Sequence, residues 1–141
     1  MAFWPVYHLN YTHKRALRVI LNDQTIAFED ALSLTESKYL HNRNLEILMV
    51  EVYKSLNSLN PVFMLEIFNK KVSSYKFRAG CILKPPKIDG NIQFISLNSL
   101  ELRATLAWNK LPKCLKDCKT ISEFKSKISS VKIYCQCKIC S

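Results

Sequence analysis

The chain has 141 residues, 48% of them hydrophobic and 23% charged, a composition typical of one globular domain rather than of a disordered segment. It has only two glycines, which excludes the glycine-rich loops that bind phosphate or dinucleotides. No apolar stretch reaches the roughly 18 residues that cross a bilayer, and the N-terminus has no secretory signal pattern. We therefore expect an intracellular protein, cytoplasmic or nuclear, that is not secreted, does not bind a membrane and keeps its cysteines reduced.

The net charge of +10 is unevenly distributed along the chain. Residues 1–21 carry three bases and no acid, residues 22–68 three bases and seven acids, and residues 69–141 fifteen bases and four acids. Basic ends of this kind attract the phosphate backbone of RNA or DNA, although a merely basic, solvated surface would give the same composition. From composition and pattern we distinguish a helical region 1–68, a basic irregular or hairpin segment 69–98 and a basic helical region 99–141 with a cysteine cluster, packed into one unit.

Short helices are predicted in the first forty or so residues from possible caps and apolar spacing. Thr12 is expected to cap the first helix and Thr25 the next, and residues 33–36 (SLTE) have the form of a capping box, so that a further helix begins near Thr35. The apolar residues expected to face inward on the first two helices are Ala16, Leu17, Ile20 and Leu21, then Phe28, Ala31 and Leu32.

The clearest element is a helix over residues 42–57, where apolar side chains recur at spacings of three and four. They are Leu45, Leu48, Met49, Val52 and Leu56. Asn60 and Pro61 are expected to begin the next helix, with Phe63, Ile67 and Phe68 facing inward.

Helical spacing disappears after residue 68 and returns at Leu100. Residues 73–77 and 92–97 could form two short strands, separated by glycines and prolines that favour turns. A helix is then predicted from Leu100 up to Pro112, and residues 120–123 (TISE) form a second capping box ahead of Phe124 and Ile128. The predicted fold is therefore mainly α, a small helical bundle with a short β-hairpin or irregular segment near 70–98.

The sequence offers no evident catalytic centre. Metal-dependent nucleotide chemistry uses converging carboxylates that hold two metal ions about 3.5–4 Å apart, yet none of Asp23, Asp30, Asp89 and Asp117 is adjacent to another. The three histidines have no serine or cysteine in a recognisable nucleophile motif. We therefore expect no enzyme activity from this chain and no small-molecule substrate.

Two basic clusters are candidates for contact with a phosphate backbone. Lys14, Arg15 and Arg18 form the first, and the second consists of Lys125, Lys127 and Lys132. The second is interleaved with Phe124 and Tyr134, and the Tyr134 ring could stack on a base. An ordinary solvated helix face is the alternative interpretation of both.

A dense thiol cluster, Cys135-x-Cys137-x-x-Cys140, closes the sequence. Three thiolates at this spacing could converge on zinc, which takes four ligands in a closed tetrahedral site. The fourth ligand could be Cys118, Cys114 or a group from a partner. Free thiols are favoured because no second Cys-x-x-Cys half is present, and zinc stays open as the one candidate cofactor.

These patterns also occur together, in order, over roughly residues 12–140. The matching runs are HKRALRVILND (13–23), RNLEILM (43–49), EVYK (51–54), LNSLNP (56–61), RA (103–104), WNKLP (108–112), SEFKSKI (122–128) and the cysteine cluster. Their order and approximate spacing resemble the segment downstream of the polymerase domain in jockey- and CR1-like non-LTR retrotransposon reverse transcriptases, which are RNA-directed DNA polymerases. The chain departs from the family at Phe94-Ile95, where an aromatic-glycine pair is usual.

The resemblance implies a place in the thumb and its C-terminal extension, where basic helices help to bind template RNA and primer. The family's catalytic aspartates lie upstream of this region, so none is carried over, and a chain opening just before the thumb-like helix is expected to be a truncated copy of the transposable element. Partners would be RNA or DNA and an upstream polymerase domain. Two alternatives stay open: an independent zinc-dependent nucleic-acid-binding module, and a helical interaction piece whose apolar surface an upstream domain covers.

Overall fold

A computed structural model describes residues 6–68, 80–86 and 99–135. In this part of the chain the structure is mainly helical and contains no sheet, which confirms the mainly α prediction. Residues 80–86 are irregular, and the strands expected at 73–77 and 92–97 lie outside the described residues. The helices are α1 (Val6–Ile20), α2 (Phe28–Leu34), α3 (Leu40–Leu56), α4 (Val62–Ile67), α5 (Leu100–Lys110), α6 (Lys113–Lys116) and α7 (Ile121–Ile128).

The chain divides into two compact units, Met1–Asn44 and Leu45–Ser141, and the boundary falls inside α3. This division differs from the segments that composition suggests, because the C-terminal part of α3 shares a hydrophobic core with residues from α5, α6 and α7. Burial, rather than the change in charge near residue 69, therefore determines which parts of the chain belong together.

The first unit has a small core in which Leu17 of α1 and Ala31 and Leu32 of α2 are buried. Thr12 does not cap α1, because the helix already begins at Val6 and Thr12 lies within it. The expected apolar stripe is wrong at Ala16 and Ile20, which are both exposed, since Leu17 carries the buried face of this helix.

Hydroxyl side chains in the first unit bond to nearby groups rather than cap the predicted helices. Thr25 donates from its backbone N–H and its hydroxyl to Oδ1 of Asp23, at 2.8 and 2.7 Å. Consequently α2 begins after Ala27 without a side-chain cap. The Thr35 hydroxyl donates to the Ala31 carbonyl oxygen at 2.7 Å, so Thr35 ends α2 instead of starting a helix.

The second unit is organised around an aromatic stack in its core. The Phe124 ring lies against Tyr53, with ring centroids 4.5 Å apart, and against Trp108 at 6.1 Å. Each ring comes from a different helix, respectively α7, α3 and α5. The helix predicted at 42–57 and the helix predicted from Leu100 to Pro112 are thus both confirmed, with their central apolar residues buried.

Residues 80–86 are held against α5 by polar side chains at its C-terminal end. The Asn109 amide accepts from the Leu83 N–H at 2.8 Å and donates to the Leu83 carbonyl oxygen at 2.9 Å. The Trp108 indole donates to the Cys81 carbonyl oxygen at 3.2 Å. Because Leu83 itself is fully buried, these bonds satisfy backbone groups that water cannot reach.

Helix α4 follows its prediction at Ile67 and Phe68, which pack in or against the core, but differs at Phe63. Pro61 stands just before the first helical residue, and Phe63 is 63% exposed instead of facing inward. The buried aromatic residue here is Phe68, which follows the helix and joins the core of the second unit. A six-residue helix is too short for a periodic pattern to identify which of its sides is buried.

The predicted N-cap of α7 is confirmed, with a variation. The Thr120 hydroxyl accepts from the Glu123 N–H at 3.2 Å, while the Glu123 carboxylate accepts from the Lys119 N–H, one residue before the cap. Residues 131–135 are irregular, and Val131 and Ile133 pack against the core.

Candidate nucleic-acid interface

The basic residues of α1 are not equivalent. Arg15 is exposed, whereas Lys14 and Arg18 are half-buried. The Arg18 guanidinium donates from Nε and Nη2 to the Ile26 carbonyl oxygen, at 3.2 and 3.1 Å. Two of its donors therefore fasten the loop between α1 and α2, and Arg15 is the residue of this cluster best placed to contact phosphate.

A carboxylate lies close to the same end of α1. Hydrogen bonds from the hydroxyl and the backbone N–H of Thr25 hold the pKa of Asp23 below its ordinary value, with a smaller contribution from the charge of Arg18. Asp23 is thus ionised at neutral pH and offsets part of the positive charge there.

The second unit carries a larger excess of positive charge. Residues 99–135 contain eight lysines and arginines against three acids. Two of those acids are in ion pairs with lysines on their own helical turn, Glu123 with Lys127 and Asp117 with Lys113. The charge of Lys127 is therefore partly balanced by Glu123. The i,i+4 spacing of these two residues already indicates such a pair from the sequence. The exposed lysines outside the ion pairs of this region are Lys110, Lys119, Lys125 and Lys132.

Lys125 of α7 is exposed to solvent, and its charge acts on the carboxylate of Glu51 in α3. The pKa of Glu51 is held below its usual range chiefly by the hydrogen bond from Lys54, and Lys125 adds a smaller electrostatic contribution. Lys125 is thus accessible to an anion.

The chain after α7 brings together basic and aromatic side chains. Along residues 131–134 the side chains alternate between half-buried and exposed, so that Val131 and Ile133 contact the core while Lys132 and Tyr134 face solvent. The Nζ atom of Lys110, at the end of α5, lies 5.5 Å from the centre of the Tyr134 ring. Lys110 is not among the predicted phosphate contacts, because only the fold brings it close to Tyr134.

Phe124, in contrast, takes no part in this surface. It is fully buried in the core of the second unit, so it cannot stack on a base. The interleaving of Phe124 with the lysines in the sequence reflects the helical period of α7, whose apolar side is buried.

The structure gives Cys118 a role in packing. Its side chain is buried in the core, its Sγ donates to the Cys114 carbonyl oxygen at 3.3 Å, and burial raises the pKa of its thiol. Zinc binds thiolates, so this environment disfavours Cys118 as a ligand. Cys135 is half-buried, and Cys137 and Cys140 lie outside the described residues. Within the described ranges, no three His, Cys, Asp or Glu side chains are grouped to hold a metal ion.

A shallow groove of about 440 Å³ opens in the first unit between α2 and the start of α3. Its rim carries Glu29 and Glu36, and a hydrogen bond with Glu29 is the main cause that raises the pKa of Tyr39. Two carboxylates beside one lysine, Lys38, make the groove unsuited to a phosphate backbone. The candidate interface is therefore the basic surface of the second unit. Arg15 and Lys14 form a separate candidate in the first unit.

No helix among residues 6–68, 80–86 and 99–135 is long and apolar enough to span a bilayer. Comparisons with protein-family models, with curated proteins and with solved structures found no match for this chain.

Proposed function

We propose that this chain is a non-catalytic C-terminal region of a non-LTR retrotransposon reverse transcriptase and that it contributes to the binding of template RNA and primer. The ordered motifs between residues 12 and 140 support the family. The observation that carries the binding role is the excess of exposed lysines in residues 99–135, where two of the three acids are already in ion pairs. The proposal implies an intracellular location, cytoplasmic or nuclear, and an upstream polymerase domain as partner.

Charge of this kind would act through counterion release. Each phosphate contact made by a lysine or arginine releases bound cations, so the slope of log K against log salt changes by about 0.7–0.9 for each contact. Accessible lysines contribute to this slope more fully than a lysine whose ammonium stays paired with a carboxylate. Lys125 and Lys132 are therefore expected to contribute more than Lys127.

The test is binding of the full chain to labelled single-stranded RNA and DNA from about 50 to 200 mM salt. The double variant Lys125→Gln, Lys132→Gln should reduce the slope by about 0.7–0.9 per lost contact. Lys127→Gln, two residues from Lys125 on the same helix, is the matched control and should change the slope less. Lys14→Gln, Arg15→Gln tests the contribution of the first unit in the same way.

The outcome that would refute this proposal is weak, salt-insensitive binding by a sample whose circular dichroism shows folded helices. A slope unchanged in both double variants would remove the two basic clusters from any interface.

Exposed apolar residues near α4 favour a second candidate, a protein-interaction piece that an upstream domain covers. Leu59, Val62 and Phe63 are all more than half exposed. Such a cluster promotes self-association when nothing covers it. Val62→Ser, Phe63→Ser should then abolish self-association in sedimentation velocity, with Tyr11→Ser, a change at an exposed aromatic residue of α1, as the control.

A further inference from the structure

We propose that Tyr134 is a stacking site for an unpaired base, and that the nucleic acid this surface binds is therefore single-stranded. The inference rests on the proposed nucleic-acid binding and adds to it the class of ligand and the residue that would select it. Its basis is the arrangement of three side chains, Tyr134, Lys132 and Lys110, on the surface of the second unit.

The first step concerns how the ring is held. Ile133, immediately before Tyr134, packs against the core, as does Val131. The short segment is therefore anchored through every second side chain, and the alternate residues, Lys132 and Tyr134, project into solvent. An aromatic side chain on an anchored segment loses little conformational freedom when a ligand binds.

The second step concerns accessibility. The Tyr134 side chain remains 40% exposed even with the Lys110 ammonium 5.5 Å from its ring centre. The other large aromatic rings of this unit among the described residues are mostly in the core, where Phe124 stacks on both Tyr53 and Trp108. The exposed ring next to the C-terminal lysines is thus available for a planar ligand.

The third step concerns charge. No ion pair described in the second unit includes Lys110 or Lys132; those pairs join Lys54 to Glu51, Lys113 to Asp117 and Lys127 to Glu123. A nucleotide presents a planar base and, on either side of it, negatively charged phosphates. The Tyr134 ring, with the Lys110 ammonium near it and the exposed Lys132 two residues earlier in the chain, matches both features, since the ring can stack on the base while the lysines contact the flanking phosphates.

The fourth step excludes a duplex as the preferred ligand. In double-stranded nucleic acid each base is covered above and below by its neighbours, so a protein ring cannot reach its flat surface unless the base leaves the stack. Lysines alone would bind single and double strands through their phosphates without needing the ring. An affinity that depends on the Tyr134 ring would therefore distinguish base stacking from attraction between lysines and phosphates alone.

The experiment compares three ligands of equal length, about 15 nucleotides: oligothymidine, the same phosphodiester chain without bases, and a duplex. Wild-type chain should bind oligothymidine about tenfold more tightly than the abasic chain, since stacking on one aromatic residue contributes to that extent. Tyr134→Ala should abolish this tenfold difference, and Tyr134→Phe, which keeps the ring, should preserve it.

Two controls separate stacking from damage to the fold. Tyr134→Leu retains an apolar side chain and should lose the base-dependent difference as Tyr134→Ala does, with an unchanged thermal midpoint. Tyr11→Ala removes an exposed tyrosine of the first unit and should leave the difference intact.

The results distinguish this inference from the proposed function. If wild-type chain binds no ligand, the proposed nucleic-acid role itself is refuted. If it binds all three ligands but does not distinguish oligothymidine from the abasic chain, or if Tyr134→Ala keeps the tenfold difference, the binding role stands and the stacking site is refuted.

Discussion

The Tyr53 hydroxyl donates a buried hydrogen bond of 2.7 Å to the Cys118 carbonyl oxygen, across 65 residues of sequence. This bond joins α3 to the turn between α6 and α7 at the place where the Tyr53 ring stacks on Phe124. Burial of the phenol is the main cause that raises the pKa of Tyr53, so the hydroxyl keeps its proton and remains a donor at all physiological pH values.

We expect Tyr53→Phe to lower the free energy of unfolding by about 1–3 kcal/mol, because the ring is kept while a buried carbonyl loses its donor. Urea denaturation checks this, and the slope of the unfolding free energy against urea should be unchanged. Tyr11→Phe, at an exposed tyrosine, is the control and should have no measurable effect. Equal stability of both variants would mean that water replaces the Tyr53 bond.

The side-chain amide of Asn109 accepts a hydrogen bond from the Leu83 N–H and donates one to the Leu83 carbonyl oxygen. Asn109→Ala leaves a buried N–H and a buried carbonyl unsatisfied, and we expect a loss of about 2–4 kcal/mol of unfolding free energy from the two groups together. Thermal denaturation followed by circular dichroism measures it. Asn44→Ala, at an exposed position of α3, should be close to neutral. A loss as small as that of the control would indicate that residues 80–86 separate from α5 without cost.

The lowered pKa of Glu51 predicts a specific dependence of stability on pH. Because the carboxylate is favoured in the folded state, its contribution is present above the unfolded pKa of about 4.3 and is lost as the pH falls through the lower folded value. Glu51→Gln should therefore reduce the loss of stability below about pH 4.3, by no more than about 1 kcal/mol since the pair is partly exposed.

The measurement for Glu51 is urea denaturation between neutral and acidic pH. Some pH dependence should persist in Glu51→Gln, because the pKa values of Asp23 and Glu123 are also lowered in the folded chain. Glu66→Gln, at an exposed position of α4, should follow the wild-type curve. If the unfolding free energy of Glu51→Gln depends on pH in the same way as that of the wild type, the hydrogen bond from Lys54 to Glu51 does not persist in solution.

Arg18 is expected to act on stability more than on nucleic-acid binding. Arg18→Gln removes two hydrogen bonds to the Ile26 carbonyl oxygen and should cost about 1–2 kcal/mol in the first unit. Arg15→Gln, on the same helix but exposed, should cost less than about 0.5 kcal/mol. Proteolysis at the loop between α1 and α2 distinguishes them, since only the Arg18 variant should be cut faster. Equal cutting rates would show that the loop does not depend on Arg18.

Helices were predictable from the sequence where the periodic pattern of apolar residues extends over several turns. The helix α3 has buried residues at regular spacing over about three turns, and α5 is stopped by Pro112, so both follow from pattern alone. The N-terminal helix boundaries were not predictable, because Thr12, Thr25 and Thr35 each fit the chemistry of a cap yet bond elsewhere or lie within a helix. A hydroxyl can satisfy several local acceptors, and the sequence does not indicate which one is nearest in the fold.

The candidate site was predictable only in part for a related reason. Clustering of Lys125, Lys127 and Lys132 is visible in sequence, and so is the i,i+4 spacing that pairs Lys127 with Glu123. The hydrogen bond from Arg18 to a backbone carbonyl and the proximity of Lys110 to Tyr134, in contrast, depend on tertiary structure. The sequence therefore predicts where the basic residues cluster, but it does not predict which of them are available to contact phosphate.

The unequal size of the two cores has a consequence for how the chain opens. Among the described residues, three are buried in the core of the first unit, whereas fifteen are buried in the core of the second. Local unfolding free energies follow buried contact, so we expect amide hydrogens in α1 and α2 to exchange with deuterium well before those of α5. Within α3 the protection should rise sharply after Asn44, so that one continuous helix would exchange at two rates.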